Sequence, residues 1–131
     1  MVLRVLVADG HPQVRMALAE RLGRAAAIES VLVAATLEEA IICARQHAPH
    51  VVLCDPLSLG DAEETVRRLE ATGARVVALV ASIEDSMADT LRRAGARAIL
   101  LKGVSTSILL RHLADAAQHG ARSDPPNAPP S

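Results

Sequence analysis

The sequence predicts an α/β fold: a doubly wound parallel sheet in which five strands alternate with five helices. Three observations carry this. Five short apolar runs, each bounded by turn residues, read as buried strands. Helical segments with capping or stop residues separate them, and strict strand–helix alternation implies parallel βαβ units with right-handed crossovers. The runs are apolar almost throughout instead of alternating, as a sheet covered on both faces requires.

Taken in order, Leu3 to Ala8 is the first strand, ending at Asp9-Gly10-His11-Pro12, where Pro12 suits the first position of a helix. Val14, Leu18 and Leu22 recur at helical spacing, with Arg15, Glu20, Arg21 and Arg24 mostly opposite. The second strand spans Val31 to Ala35 and begins at Glu29 or Ser30. Thr36-Leu37-Glu38-Glu39 forms a capping box for a helix that turns Ala40, Ile41 and Ala44 inward and closes before Pro49. The third strand, His50-Val51-Val52-Leu53-Cys54-Asp55, stops on a carboxylate, and Pro56 biases Asp55 toward extended backbone. Asp61 is the N-cap of a helix carrying Val66 and Leu69 and ended by Gly73. Arg75 to Ala81 is strand four. Ser82-Ile83-Glu84-Asp85 then caps a helix carrying Met87, Leu91 and Ala94, with Gly95 at its end. Ala98 to Leu101 is strand five, ending at Lys102-Gly103, and Ser105 caps a fifth helix running to about His119. One domain thus covers residues 1–119. Residues 120–131, with Pro125, Pro126, Pro129 and Pro130, have the composition of a linker or disordered end.

Composition narrows the function. A chain of 131 residues has room for one domain with a substantial core. With 50% hydrophobic and 22% charged residues the composition is globular and soluble. Phe, Tyr and Trp are absent, so no aromatic is available to stack on bases. A net charge of −1 argues against a nucleic-acid footprint on this chain. Arg67-Arg68 and Arg92-Arg93 read as solvated helix faces. The apolar runs are short of a membrane span and the N-terminus enters a strand with no charged leader, so a cytoplasmic location is expected. Cys43 and Cys54 have no metal-like spacing and read as reduced core thiols. His11, His47, His50, His112 and His119 show no ligand spacing on one element, although His11 lies beside the acidic edge. No Gly-rich phosphate loop, nucleophile elbow or catalytic cysteine pair is present, and an enzyme is not expected.

The carboxyl ends of parallel strands share one edge, which is where such sheets bind ligands. Asp9, Asp55 and Lys102 end strands one, three and five. Two carboxylates and an ammonium there make a pocket able to hold a divalent cation between oxygens and an anionic group beside the lysine. An aspartate in that place can also act as a nucleophile toward phosphorus. Taken alone, an Asp-Pro pair reads as the start of a turn before it reads as a nucleophile.

The segments V-L-V-A-D-G-H-P at 5–12, H-V-V-L-C-D at 50–55 and A-G-A-R-A-I-L-L-K at 94–102 carry a family resemblance. The chain resembles receiver domains of bacterial two-component response regulators, in particular the subgroup preceding a helix-turn-helix output domain. The resemblance covers residues 3 to about 119. It implies a flavodoxin-like (βα)5 fold with strand order 2-1-3-4-5. It places Asp55 at the phospho-acceptor position and Lys102 where a lysine pairs with the phosphoryl group. Asp9 matches the first acid of an acidic pair, and the backbone carbonyl of Leu57 falls where the family uses a metal ligand. An intact site of this kind takes phosphate from a histidine kinase in a magnesium-assisted transfer.

Four departures fall on the site and its readout. Gly10 stands where the second acid supplies a metal ligand, so Mg2+ binding is expected to be weak. Val80 replaces the small hydroxyl residue that contacts the phosphoryl group, with Ser82 two residues on as a possible stand-in if the loop bends. Ile99 occupies the aromatic switch position. Ser58-Leu59 replaces the Met-Pro before Gly60. The pattern points to a pseudo-receiver, a regulatory dimerisation module controlling transcription through an output domain not in this chain. Two alternatives stand beside it: a conventional Mg-dependent phospho-acceptor at Asp55, and a small-molecule sensor using the vacated pocket. In the fifth helix Ile108, Leu109, Leu110, Leu113, Ala114, Ala116 and Ala117 span more than one buried stripe. Leu109, Leu110 and Leu113 are therefore expected on a homodimer face; the other reading is a helix wrapped deeper into the core.

Overall fold

The computed structural model describes residues 2–118; His119 and the Pro-rich segment at 120–131 lie outside the described residues. The elements are β1 (Leu3–Ala8), α1 (Pro12–Gly23), β2 (Ile28–Ala34), α2 (Leu37–His47), β3 (Val51–Cys54), a 3₁₀ turn (Pro56–Ser58), α3 (Ala62–Glu70), β4 (Arg75–Val80), α4 (Asp85–Ala94), β5 (Ala98–Leu101) and α5 (Thr106–Gln118). All strand pairs are parallel and the order is β2-β1-β3-β4-β5. This is the flavodoxin-like arrangement that the resemblance implies.

The apolar runs divide by the two-residue period of a strand into two cores. Leu6, Ala8, Val52, Cys54, Val76 and Ala78 face α2, α3 and α4, where Ile41, Val66, Leu69 and Leu91 close over them. Val5, Val7, Val51, Leu53, Val77 and Leu79 face α1 and α5, under Leu18, Leu22, Leu109 and Leu113. The three inner strands are buried on both faces. The edge strands β2 and β5 are not: Val33 and Leu101 are half exposed, so the expectation of cover on both faces fails there. β2 also begins three residues earlier than its apolar run suggests, because Leu3 pairs with Ile28 across an irregularity before Arg4 and Ile28 is buried.

The helix caps follow the sequence with two changes. Thr36 accepts the Glu39 N–H at 3.1 Å, but the Glu39 carboxylate reaches back to the N–H of Ala35, one residue earlier than a reciprocal capping box would. Asp61 accepts the Glu64 N–H at 2.9 Å and Ser105 Oγ the Ile108 N–H at 3.3 Å. Helix α4 begins at Asp85 with Glu84 as an N-cap that makes no side-chain cap bond. The expected Ser82 cap is therefore incorrect: Ser82 and Ile83 are used up in the connection from β4. Gly95 ends α4 at φ +123°, and the space a side chain would need is taken by Glu70.

Helix α5 corrects a second expectation. Leu109 and Leu113 are fully buried against the sheet and Leu110 is partly buried on the same core. The helix contacts β3, β4 and β5, and its wide apolar face is consumed in covering three strands. Leu109 and Leu113 are core residues, unavailable to a dimer partner.

Inside α3, Thr65 is fully buried, and its hydroxyl lacks a hydrogen-bond partner among the described residues. A buried hydroxyl with no partner costs stability that a methyl of the same shape does not. Thr65→Val is expected to raise stability by about 1 kcal/mol, read as a higher midpoint in urea unfolding; a lower midpoint would show that the hydroxyl is satisfied.

Candidate functional site

Register assembles the site. Ala8 pairs with Cys54, so the next residues, Asp9 and Asp55, emerge side by side at the carboxyl ends of β1 and β3. Both N–H groups extend the ladder, Asp9 to the Ala34 carbonyl at 3.2 Å and Asp55 to the Ala8 carbonyl at 3.1 Å. Val80, the last residue of β4, pairs with Leu101, and the Lys102 N–H donates to the Val80 carbonyl at 2.8 Å. Lys102 is thereby anchored one strand beyond β4 and reaches back to the acids. The three strand-end landmarks of the sequence meet at one point.

The two carboxylates are buried, with Asp9 1% and Asp55 5% exposed. Placing two anions together in such a setting is unfavourable unless cations and N–H groups neutralise them. Lys102 Nζ donates to Asp55 Oδ2 at 2.6 Å and lies 3.5 Å from Asp9 Oδ2. His11 supplies the other side: its backbone N–H donates to Asp9 Oδ1 at 2.8 Å and its Nδ1 lies 2.9 Å away from the same oxygen. That Nδ1 is also 3.9 Å from Asp55 Oδ2. Asp55 Oδ1 accepts the Leu57 N–H at 3.1 Å. Each of the four carboxylate oxygens thus faces a donor from the protein itself.

Lys102 is the only lysine among the 14 basic residues. Burial alone pushes its pKa down, but the hydrogen bond and charge of Asp55, together with Asp9, outweigh burial and raise it above the ordinary 10.5. A base whose folded pKa is raised contributes stability that is full below its unfolded value and is lost as pH climbs through the folded one. The clamp is therefore intact at neutral pH. Cys54, beside Asp55, is driven the other way in function: burial first, then the neighbouring carboxylates, raise its thiol pKa and keep it an un-ionised core residue.

Other predicted positions sit as follows. Val80 is fully buried and presents no polar atom. Ser82 is exposed and lines, with His11, Asp55, Leu57, Ser58 and Ala81, a recess of about 280 Å3 beside Asp55. Ile99 is half-buried against the α2–α4 core. Gly10 has no side chain to offer, and its N–H donates to Ser58 Oγ at 2.9 Å. Asp9, Asp55 and His11 bring ligand atoms within 4.8 Å of one another. Sequence reasoning noted His11 beside the edge without placing it on the acids, and it named Ser58 only as a departure from the family's pattern, without its contact to Gly10. The one available signal for Ser58 was that it replaces a methionine in the family's pattern.

Replacing Lys102 by Met leaves two buried carboxylates facing each other. We expect a loss of about 2 kcal/mol at pH 7, below the usual cost of breaking a buried pair because Lys102 is 21% exposed. Adding Asp55→Asn should restore part of it, and the loss of stability above pH 10.5 should disappear from the single variant. Urea unfolding of the four proteins at several pH values measures both; additive effects would show that Lys102 and Asp55 are not coupled.

Residues 5–114 match the response regulator receiver domain family. The chain is 32% identical over 113 residues to the response regulator GacA of Pseudomonas protegens, covering 84% of this chain and 53% of that protein. It therefore spans about half the length of that relative. Its fold is similar to the signal receiver domain of a response regulator NarL from Mycobacterium tuberculosis (TM-score 0.81, 24% identity, 89% of this chain and 97% of that one). It is also similar to a LuxR-family two-component response regulator from Aurantimonas sp. SI85-9A1 (TM-score 0.81, 22% identity, 95% and 92% covered). A family match spanning most of the chain, a strand order of 2-1-3-4-5 and an acid–acid–lysine edge lead to one conclusion: this chain belongs to the response regulator receiver domain family of two-component signalling.

Proposed function

We propose that this chain is an atypical receiver, a regulatory interaction module in which the aspartyl site has become structural. The observation that carries the reading is the state of the two acids. Gly10 leaves the edge with two carboxylates instead of three, and all four of their oxygens face Lys102, His11, Leu57 or Ser58. Magnesium demands near-octahedral oxygen ligation and gives up its waters reluctantly. A donor set one oxygen short, and already neutralised from within, fits that ion poorly. Val80 removes the hydroxyl that would steady a phosphoryl group, and Ile99 has no polar tip to report its arrival.

In this reading signalling runs through surfaces in a cytoplasmic regulator, with a DNA-binding output domain carrying transcription control. A histidine kinase upstream and a second copy of the chain are the natural partners of such a module. The dimer surface is then the outer side of α5, where Ile108 is 38% exposed, and not Leu109 or Leu113. Among the described residues no helix is long and apolar enough to cross a membrane.

A second reading, the conventional phospho-acceptor at Asp55, draws on Ser82. Its exposed position in the recess with Asp55 gives the site a hydroxyl two residues beyond Val80. The two readings separate on incubation with acetyl phosphate and Mg2+, followed by intact-mass measurement. The atypical receiver stays unmodified. One phosphoryl group per chain, abolished in Asp55→Asn, would establish the conventional reading.

A further inference from the structure

We propose that Ser58 is a positioning residue that clasps the 3₁₀ turn onto Gly10, and that this clasp, as much as the missing acid, sets the site's metal affinity. Ser58 Oγ accepts the Gly10 N–H at 2.9 Å and donates to the Asp55 carbonyl at 2.8 Å; Asp9 Oδ1 lies 3.5 Å away. One hydroxyl therefore ties the β1–α1 connection to the β3–α3 connection directly over the two acids. The approach is close. A Cβ built on Gly10 would stand 2.6 Å from the Ser58 carbonyl oxygen and 3.4 Å from the Ser58 carbonyl carbon and Cβ. Among the described residues the glycines with positive φ are Gly60, Gly73 and Gly95, so backbone conformation does not demand glycine at position 10. Space does.

The loss of an acid at position 10 and the approach of the turn are thus one structural event. Any side chain at position 10, an aspartate included, must push Pro56–Ser58 outward. That turn carries Leu57, whose N–H caps Asp55 Oδ1 and whose carbonyl falls at the family's metal-ligand position. Moving the turn shifts both. Restoring the acid at position 10 therefore cannot rebuild a magnesium site while Ser58 holds the turn down. This inference deepens the atypical-receiver reading, and rests on it in taking metal affinity as the quantity that has been lost.

The test uses wild type, Gly10→Ala, Gly10→Asp, Ser58→Ala and the two double variants, with thermal unfolding and calorimetric Mg2+ titration. At an unobstructed position of ordinary backbone conformation, alanine in place of glycine raises Tm by restricting the unfolded chain. Here Gly10→Ala is expected to lower Tm, and to lower it less in the Ser58→Ala background, where the turn is free to retreat. Gly10→Asp alone should bind Mg2+ no better than wild type, whereas Gly10→Asp/Ser58→Ala should bind about tenfold tighter, the scale on which groups that orient metal ligands act. A Tm that is unchanged or raised in Gly10→Ala would overturn the clasp. So would equal Mg2+ affinity in Gly10→Asp with and without Ser58→Ala. If Gly10→Asp does not fold, the sign of the Gly10→Ala effect and its dependence on Ser58 still decide the matter. Phosphorylation of the wild-type chain would defeat the atypical-receiver reading while leaving the sign of the Gly10→Ala effect, and so the clasp, untouched.

Discussion

Two buried carboxylates side by side are the constraint around which this molecule's functional edge is arranged. Parallel pairing of β1 and β3 puts Ala8 level with Cys54, and the chain then has no choice but to bring Asp9 and Asp55 together. Neither anion can remain there unpaired, because stripping water from a carboxylate costs several kcal/mol per ion. Lys102 from β5, His11 from the start of α1 and the N–H of Leu57 supply the neutralisation. In a metal-dependent receiver a cation would share that task. In this chain those donors make the cluster a clamp across three strands.

The same edge explains why departures from the family pattern gather at a few positions while the scaffold is kept. Strand order and the two cores depend on apolar residues that alternate between faces, and those are intact from Leu3 to Leu113. Gly10, Val80 and Ser58 lie at strand ends and in connections, where a change of chemistry costs the core nothing. Val80 even adds to the core, since a buried valine gains what a buried hydroxyl without a partner would lose.

Much of this was legible in the residues. The five strands, the caps at Thr36, Asp61 and Ser105, the stop at Gly95 and the convergence of Asp9, Asp55 and Lys102 follow from periodicity, turn chemistry and the rule that parallel strands share an edge. What was not legible depended on distances in three dimensions. Leu109 and Leu113 looked surplus because a helix wheel cannot say how many strands a helix must cover. Ser82 looked like a cap because the length of the β4–α4 connection is not written in its composition. The contact of Ser58 with Gly10 and Asp9 carried no local signal, since these lie 48 and 49 residues away. Gly10 read as an absence; only the carbonyl of Ser58 beside it reveals a close approach.

The central claim is that the acids of this site are neutralised from within and bind magnesium weakly. Because Lys102 is the only lysine, the 15N resonance of its Nζ reports on the cluster without ambiguity. Titrating the wild-type chain with Mg2+ while following that resonance is the most direct test. The account predicts that millimolar Mg2+ leaves it in place, with Lys102 still bound to Asp55. A saturable shift at those concentrations, lost in Asp9→Asn, would contradict it.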